Sequence, residues 1–454
     1  MSSTYLTRTN GTETTRTKCT FSAWFKFDQY NATNTIIVAT DDSGANTYFQ
    51  IELKPDIDVQ IRDGSSTTYL RRRSNAKLRD ASGWYNVVVT WDSTLGTAAD
   101  RLKVFLNGER ITSFNDNTGT VDSNYNCPLF KSSIPMKIGV GQSGSSNFFS
   151  GIMSHIHATD GYAYEASAFG STDADTGEWT INTSPSVTYG DNGFFILKNG
   201  NSVTDQSGEG NNWTVGGGTL TNTEDCPSDV FATWNILGAT AVNYKNANNT
   251  IYNSTNWQNS YSTLGMTKGK WYAEFKTLNA DKALLGINPI NTSQSTITGI
   301  SGTNNRWGYG DGARDGRVLT YNGGAGSKTT GGTDSTYSSG SISANDILMV
   351  AVDMDNYIIW TGVNGTWNNS ATATEIQNGT TTNAMFTGFN STSDTWHFAG
   401  TVENSTLEAN FGNGYFGTSA ISSPNSDSAS LGKFKYTVPT GYYALCTKNL
   451  NTQG

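Results

Sequence analysis

Cleaving a glycosidic bond takes two carboxylates facing each other across a sugar, roughly 5–9 Å apart depending on mechanism. On one strand, alternate positions supply that geometry because they share a face. The nearest candidate is Glu52-Leu-Lys-Pro-Asp-Ile-Asp58, but Pro55 interrupts the ladder and the spacing along a single strand is wrong. Asp353-Met-Asp355 has the spacing, yet it lies where a strand runs into a turn, and carboxylates there accept turn amide hydrogens. Histidine offers little more. His155 and His157 alternate, so two imidazoles could share a face as a metal would require, but no acidic residue stands beside them. His397 follows Trp396 inside a strand and reads as a core or rim histidine. No Ser/His/Asp or Cys/His pattern has local support, so no nucleophile is expected. The chain reads as non-enzymatic.

Binding chemistry is easier to find. Recognition of a sugar or a protein wants exposed rings beside amides and carboxylates on loops. Trp307, Tyr309, Asp311, Arg314 and Asp315 form the best such cluster, and Tyr125, Asn126 and Asn147 to Phe149 form a weaker one. For Trp307 and Tyr309 the competing reading is burial in a β core. Three oxygen-rich turns, Asp41-Asp42-Ser-Gly-Ala-Asn46, Asp205-Gln-Ser-Gly-Glu209 and Asp311-Gly-Ala-Arg-Asp315, could ligate calcium, though none is a twelve-residue EF-hand loop and Asp, Asn and Gly make turns unaided. No other cofactor is expected. Cys19, Cys127, Cys226 and Cys446 form no CxxC pair, which leaves zinc without support and disulfide pairing open. Cys19 falls in an alternating strand, where a small buried thiol is the simpler reading.

The elements that must carry these residues are strands. Aromatics reach 12% against 35% hydrophobic residues, with 49 Gly and 8 Pro, a composition of many short strands and turns. Tyr85, Val87, Val89 and Trp91 alternate with polar or β-branched neighbours, Leu102, Val104 and Leu106 answer them, and Asn107-Gly108 supplies a hairpin turn. Asn345–Asp355, Tyr357–Trp360 and Asn364-Gly365 repeat the device. A chain of 454 residues exceeds what one core sustains, so two domains are expected. Tyr321–Gly340, dense in glycine, reads as a long loop or a loosely paired hairpin. A net charge of −9 leaves Arg71-Arg72-Arg73 as the sole basic patch, read as a solvated strand end, and nucleic acid is not expected as a partner. The N-terminus shows no apolar leader and no run of about 18 apolar residues occurs, so a soluble protein made in a cytoplasm is expected, without membrane insertion.

Phe21-Ser-Ala-Trp-Phe-Lys-Phe27, Trp84–Val89, Val104–Gly108 and Phe148–Ile156 resemble a laminin-G-like, concanavalin-A-type lectin domain. Gly269–Phe275, Leu285–Ile287, Trp307–Gly310, Asp346–Asp355, Val363–Trp367 and Ala409–Gly412 resemble a SPRY domain. Joined through Asp160–Trp179 and Asp205–Thr214, the tandem is similar to virion proteins of marine bacteriophages, usually tail-fibre or other structural proteins. The resemblance implies an all-β chain of two antiparallel jelly-roll sandwiches: residues 1–168 lectin-like, 169–235 a connecting segment packed on the first domain, and 236–454 SPRY-like with a C-terminal tail. It further implies location in a virion, host attachment through a surface glycan, and contact with other virion proteins; a homo-oligomer is expected. A capsid or tail decoration protein is the alternative, favoured by the absence of heptads and of a fibrous repeat near Met1, and a glycan hydrolase is the third. Asp41 and Asp42 are the preferred calcium ligands because lectin-like sandwiches place ions at that rim.

Overall fold

The computed structural model describes residues 3–28, 33–41, 47–62, 69–198, 200, 202–237, 242–254, 258–279, 282–290, 317–322, 325–330, 333–337, 340–389 and 395–454. Strands account for 44% of the described residues and helices for 6%, so the protein is nearly all-β. It divides into two compact units, Met1–Thr221 and Asn222–Gly454.

The first unit begins with β1 (Tyr5–Thr9), β2 (Lys18–Phe27), β3 (Asn34–Thr40), β4 (Tyr48–Leu53), β5 (Ile57–Arg62) and β6 (Tyr69–Ser74). It continues with β7 (Tyr85–Asp92), β8 (Leu102–Leu106), β9 (Glu109–Arg110), β10 (Phe114–Asp116), β11 (Pro135–Ile138) and β12 (Gly151–Asp160). Four short strands close it: β13 (Gly170–Thr172), β14 (Trp179–Ile181), β15 (Phe194–Ile196) and β16 (Thr214–Gly217). An eight-stranded sheet runs β10-β6-β5-β4-β3-β11-β1-β16, and a six-stranded sheet runs β15-β12-β2-β7-β8-β9.

Alternation decides what each strand buries. In β2, Phe21, Ala23 and Phe25 stand opposite Val89, Val87 and Tyr85 of β7. In the larger sheet Phe49, Ile51 and Leu53 of β4 pair with Ile61, Val59 and Ile57 of β5, and all six are buried. The turn after β8 places Asn107 at φ 47° and Gly108 at φ 80°, the left-handed pair a two-residue hairpin needs. Residues following β12 then fold back over the outer face of the six-stranded sheet. Ala166 and Phe169 pack on Val88 and Phe105, and the Trp179 indole donates to Asn86 Oδ1 at 3.2 Å. The sheet is therefore covered on both sides.

The second unit contains β17 (Asn243–Lys245), β18 (Thr250–Asn253), β19 (Gln258–Tyr261), β20 (Lys270–Thr277), β21 (Lys282–Ile290) and β22 (Arg317–Asn322). Next come β23 (Ser327–Thr330), β24 (Thr333–Thr336), β25 (Ile347–Asp353), β26 (Ile358–Val363), β27 (Thr366–Trp367) and helix α1 (Ala373–Asn378). They are followed by β28 (Phe386–Thr387), β29 (Thr395–Val402), β30 (Ser405–Asn410) and helix α2 (Thr447–Gln453). One sheet runs β17-β18-β30-β20-β25-β26-β27, the other β19-β29-β21-β22-β23-β24. Trp271, Phe275, Val350, Ile359, Trp396 and Phe398 lie in the core. The residues after β30 return over the outer face of β20, β25 and β26, where Phe434, Val438 and Tyr442 bury Tyr272, Ala351 and Trp360.

One sequence expectation changes, and another is narrowed to the hairpin of its two alternatives. Arg71-Arg72-Arg73 is the middle of β6, a full strand between β5 and β10, and not a strand end. The Tyr321–Gly340 stretch holds the paired strands β23 and β24, which extend a sheet as a meander. In β6, polar residues hide the alternation because one face of the strand is turned away from the core.

Candidate functional site

The outer face of the eight-stranded sheet is where this chain concentrates polar chemistry. Cross-strand partners share a face, so register alone assembles it. Tyr48 of β4 stands opposite Arg62 of β5, which stands opposite Tyr69 of β6. The next row is Gln50, Gln60 and Arg71, and the third is Glu52, Asp58 and Arg73. Every intervening residue on β4 and β5 is apolar and points into the sandwich.

The third row is held by ion pairs. Arg71 grips Asp58 with two nitrogens, Nε to Oδ1 at 2.9 Å and the second guanidinium nitrogen to Oδ2 at 2.6 Å, and reaches Asp116 of β10 at 3.1 Å. That bidentate contact raises the Arg71 pKa, outweighing burial. Lys54, in the β4–β5 turn, bridges Glu52 and Asp58, the latter at 3.5 Å. Arg73 and Lys77 converge on the buried Asp56 at 2.8 and 2.5 Å. Burial pushes the Asp56 carboxyl upward, but those two hydrogen bonds prevail and lower it. Asp116 is lowered chiefly by the Thr118 hydroxyl.

Gln60 ties the rows together. Its Nε2 donates to Glu52 at 3.2 Å and to Asp58 at 3.0 Å, while its Oε1 accepts from the Tyr69 hydroxyl at 3.4 Å. Burial raises the pKa of both Tyr48 and Tyr69, so their phenols stay protonated. The result is a half-buried platform of a ring, an amide and guanidinium groups above satisfied carboxylates.

Glu52 and Asp58 thus form a pair that spacing along one strand hides. Pro55 does not break a ladder; it sits in the turn, and the hairpin brings the two carboxylates opposite one another. Asn147 reaches the same place. At φ 54° it turns its amide toward Glu52 Oε1 at 3.4 Å, while its carbonyl accepts from Thr35. Tyr125 lies elsewhere: its carbonyl accepts from the Trp91 indole at 3.3 Å, and its ring packs on Trp91. Asn126 is exposed beside it, and Phe148 and Phe149 pack against Tyr5 and Phe25. Trp307, Tyr309, Asp311, Arg314 and Asp315 fall outside the described residues, as does Asp42. Asp41 ends β3 with its amide on the Thr47 carbonyl at 3.3 Å. Among the described residues no group of three His, Cys, Asp or Glu side chains could hold a metal.

The remaining candidates are held by the fold. Asp353 accepts the amides of Asp355 and Asn356 and an ion pair from Lys270 at 3.2 Å, the turn role expected of it. A β-bulge at Ser154–His157, with His155 at φ 46°, interrupts the regular strand, yet both histidine rings pack against Phe195. His155 Nδ1 meets Ser154 Oγ at 2.7 Å, and His157 Nδ1 meets the Tyr189 hydroxyl at 3.0 Å. Burial lowers His155 to about 4 and also holds His157 well below its ordinary value. His397 donates to the Ser262 carbonyl at 2.7 Å. All four cysteines carry free thiols, and Cys19 is hydrogen-bonded to Cys127 in the core. No helix of the described residues is long and apolar enough to cross a membrane.

Sequence reasoning missed Tyr48, Gln60, Tyr69 and Arg71. Their signal was present as alternation in Tyr48–Leu53 and Ile57–Arg62, whose polar phase is rich in aromatic, amide and guanidinium groups.

The PSpry domain of TRIM65 is similar in structure at 10% identity and a TM-score of 0.30, covering 39% of this chain and 88% of that one. The heptameric SAP-like pentraxin of Limulus polyphemus is similar at 15% identity and a TM-score of 0.29, covering 43% and 89%. The SPRY domain of human HERC1 is similar at 12% identity and a TM-score of 0.26, covering 39% and 96%. No curated protein matches the sequence. Residues 1–168 match the family model described as the concanavalin A-like lectin/glucanases superfamily.

Proposed function

We propose that the chain binds a surface glycan without cleaving it, through the outer face of the eight-stranded sheet. The observation that carries this is the three-row grid from Tyr48 to Arg73, which offers a half-buried ring, an amide and guanidinium donors on a rigid strand scaffold. Sugar recognition draws on those groups: rings cover apolar ring faces, and fixed donors and acceptors read hydroxyls. Catalysis is not part of the reading. Asp58 carries a bidentate guanidinium and an ammonium, which makes it an ionic anchor, the opposite of a proton donor to a glycosidic oxygen.

The likeness of the tandem to virion proteins supports placing the chain on a virus particle, as an attachment protein of tail-fibre type. Titration of the whole protein against host-surface polysaccharide tests the binding. Saturable binding that Tyr69→Ala and Gln60→Ala weaken is expected, with no reducing ends released. Absence of saturable binding, or indifference to both substitutions, would sink the reading. Immunolabelling of particles then tests the placement: label at a fibre or tail tip agrees, whereas label spread over the capsid would turn the chain into a decoration protein.

A further inference from the structure

One cation of this face differs from its neighbours. Lys54, Arg71 and Arg73 each rest on a carboxylate. Arg62 is half-buried in the first row, directly opposite Tyr48 on one side and Tyr69 on the other. It has no hydrogen-bond or ion-pair partner among the described residues, although it lies close enough to act electrostatically on the Tyr48 hydroxyl. A guanidinium carries five donors in a planar fork matched to an oxyanion, and it is costly to hold half-buried without an acceptor. The acidic row lies two rows away, about 13 Å along the strands at 3.3 Å per residue, and its charges are already neutralised by Lys54 and Arg71, while Arg73 is paired with Asp56. Among the described residues the face is therefore polarised, with an open positive group beside a half-buried ring.

We propose that the ligand is an acidic glycan, a sugar bearing a carboxylate or sulfate that Arg62 receives while the Tyr69 ring packs against the same residue. This rests on the glycan-binding reading above and narrows it to a ligand class. Gln60 and Arg71, one row further on, then meet the neutral hydroxyls of the adjoining sugar.

The test is calorimetric titration of the whole chain with three probes of equal length: an oligogalacturonate, a sulfated galactan oligosaccharide and a neutral galactan oligosaccharide. At least one acidic probe is expected to bind roughly tenfold to a hundredfold tighter than the neutral one, the range of a charge-assisted hydrogen bond. Arg62→Gln should erase that preference by bringing the acidic probes down to the affinity of the neutral one, and raised salt should weaken the acidic probes alone. Which acidic probe wins identifies the oxyanion. Equal binding of neutral and acidic probes overturns the acidic-glycan inference and leaves glycan binding standing. An acidic preference that survives in Arg62→Gln overturns the role of Arg62. If none of the three binds, both readings fall.

Discussion

The two units solve the outer face of a sheet in opposite ways. In the second, Tyr272, Ala351 and Trp360 form one cross-strand row, and the returning C-terminal residues Phe434, Val438 and Tyr442 bury it. In the first, the row Tyr48, Arg62 and Tyr69 occupies the corresponding kind of position and is flanked by amides and ion pairs. An apolar outer row is driven to find cover because exposing it costs about 25 cal/mol per Å². A polar row whose carboxylates are paired has no such drive. The difference teaches that the alternation sets two faces, while the composition of the second face decides whether it becomes a second core or stays available to a ligand.

The comparison breaks first at the covered face. Trp360→Ala should cost about 3–5 kcal/mol, since the side chain is wholly buried between the sheet and its cover. Thermal unfolding reads this directly, and a loss below about 1 kcal/mol would mean the cover is loosely seated. Next come the polar clamps of each face. Glu274 accepts the Lys435 and Tyr436 amides at 2.7 and 2.8 Å and the Tyr272 hydroxyl at 3.0 Å, which fastens the cover to β20. Glutamine offers one acceptor oxygen where two are used, so Glu274→Gln should cost about 1–3 kcal/mol and speed amide exchange at Lys435 and Tyr436. On the open face, Asp58→Asn should cost a similar ~1–3 kcal/mol by unseating Arg71, seen as a lower denaturation midpoint.

Acidity should separate the two clamped regions. Burial raises Glu274 to about 7, so its contribution is fully present below its unfolded value near 4.5 and is lost as pH rises through 7. Burial lowers His155 to about 4, so its contribution is present above 6.5 and is lost as pH falls toward 4. Each amounts to about 1.4 kcal/mol per pH unit inside its window. Peptide-resolved hydrogen exchange between pH 7 and 4.5 should show β12 loosening, with Glu274→Gln removing the opposite trend from the 425–446 segment. A parallel response of both regions in the native chain and in Glu274→Gln would mean that other groups dominate.

How far this was legible depends on which face a strand shows. The strand Tyr48–Leu53 could be read to the residue because its core-facing Phe49, Ile51 and Leu53 alternate with Tyr48, Gln50 and Glu52. β6 could not: Tyr69-Leu-Arg-Arg-Arg-Ser74 has a single aliphatic side chain, and the residues in phase with it are Arg72, which donates to the Thr118 and Gly119 carbonyls, and the buried Ser74. The Glu52–Asp58 pair was visible but judged along one strand, when the turn at Pro55 makes it a pair across two. The bulge at His155 was beyond reading, because a left-handed histidine leaves no pattern in the sequence. Sites assembled by register need the pairing, and pairing is non-local.

The smallest expected effect is the sharpest test of the contrast. Arg62 has no hydrogen-bond or ion-pair partner among the described residues, and Arg62→Gln should shift stability by no more than about 0.5 kcal/mol. Asp58, two rows away on the same strand, should behave as a structural residue. The pair distinguishes a face built to be open from one merely left polar. If Arg62→Gln destabilises as much as Asp58→Asn, the guanidinium holds the sheet together and the first row is scaffold. If it is neutral, a half-buried positive charge is being kept at the surface for something outside the chain, and a buried-face residue such as Trp360 has no counterpart to it.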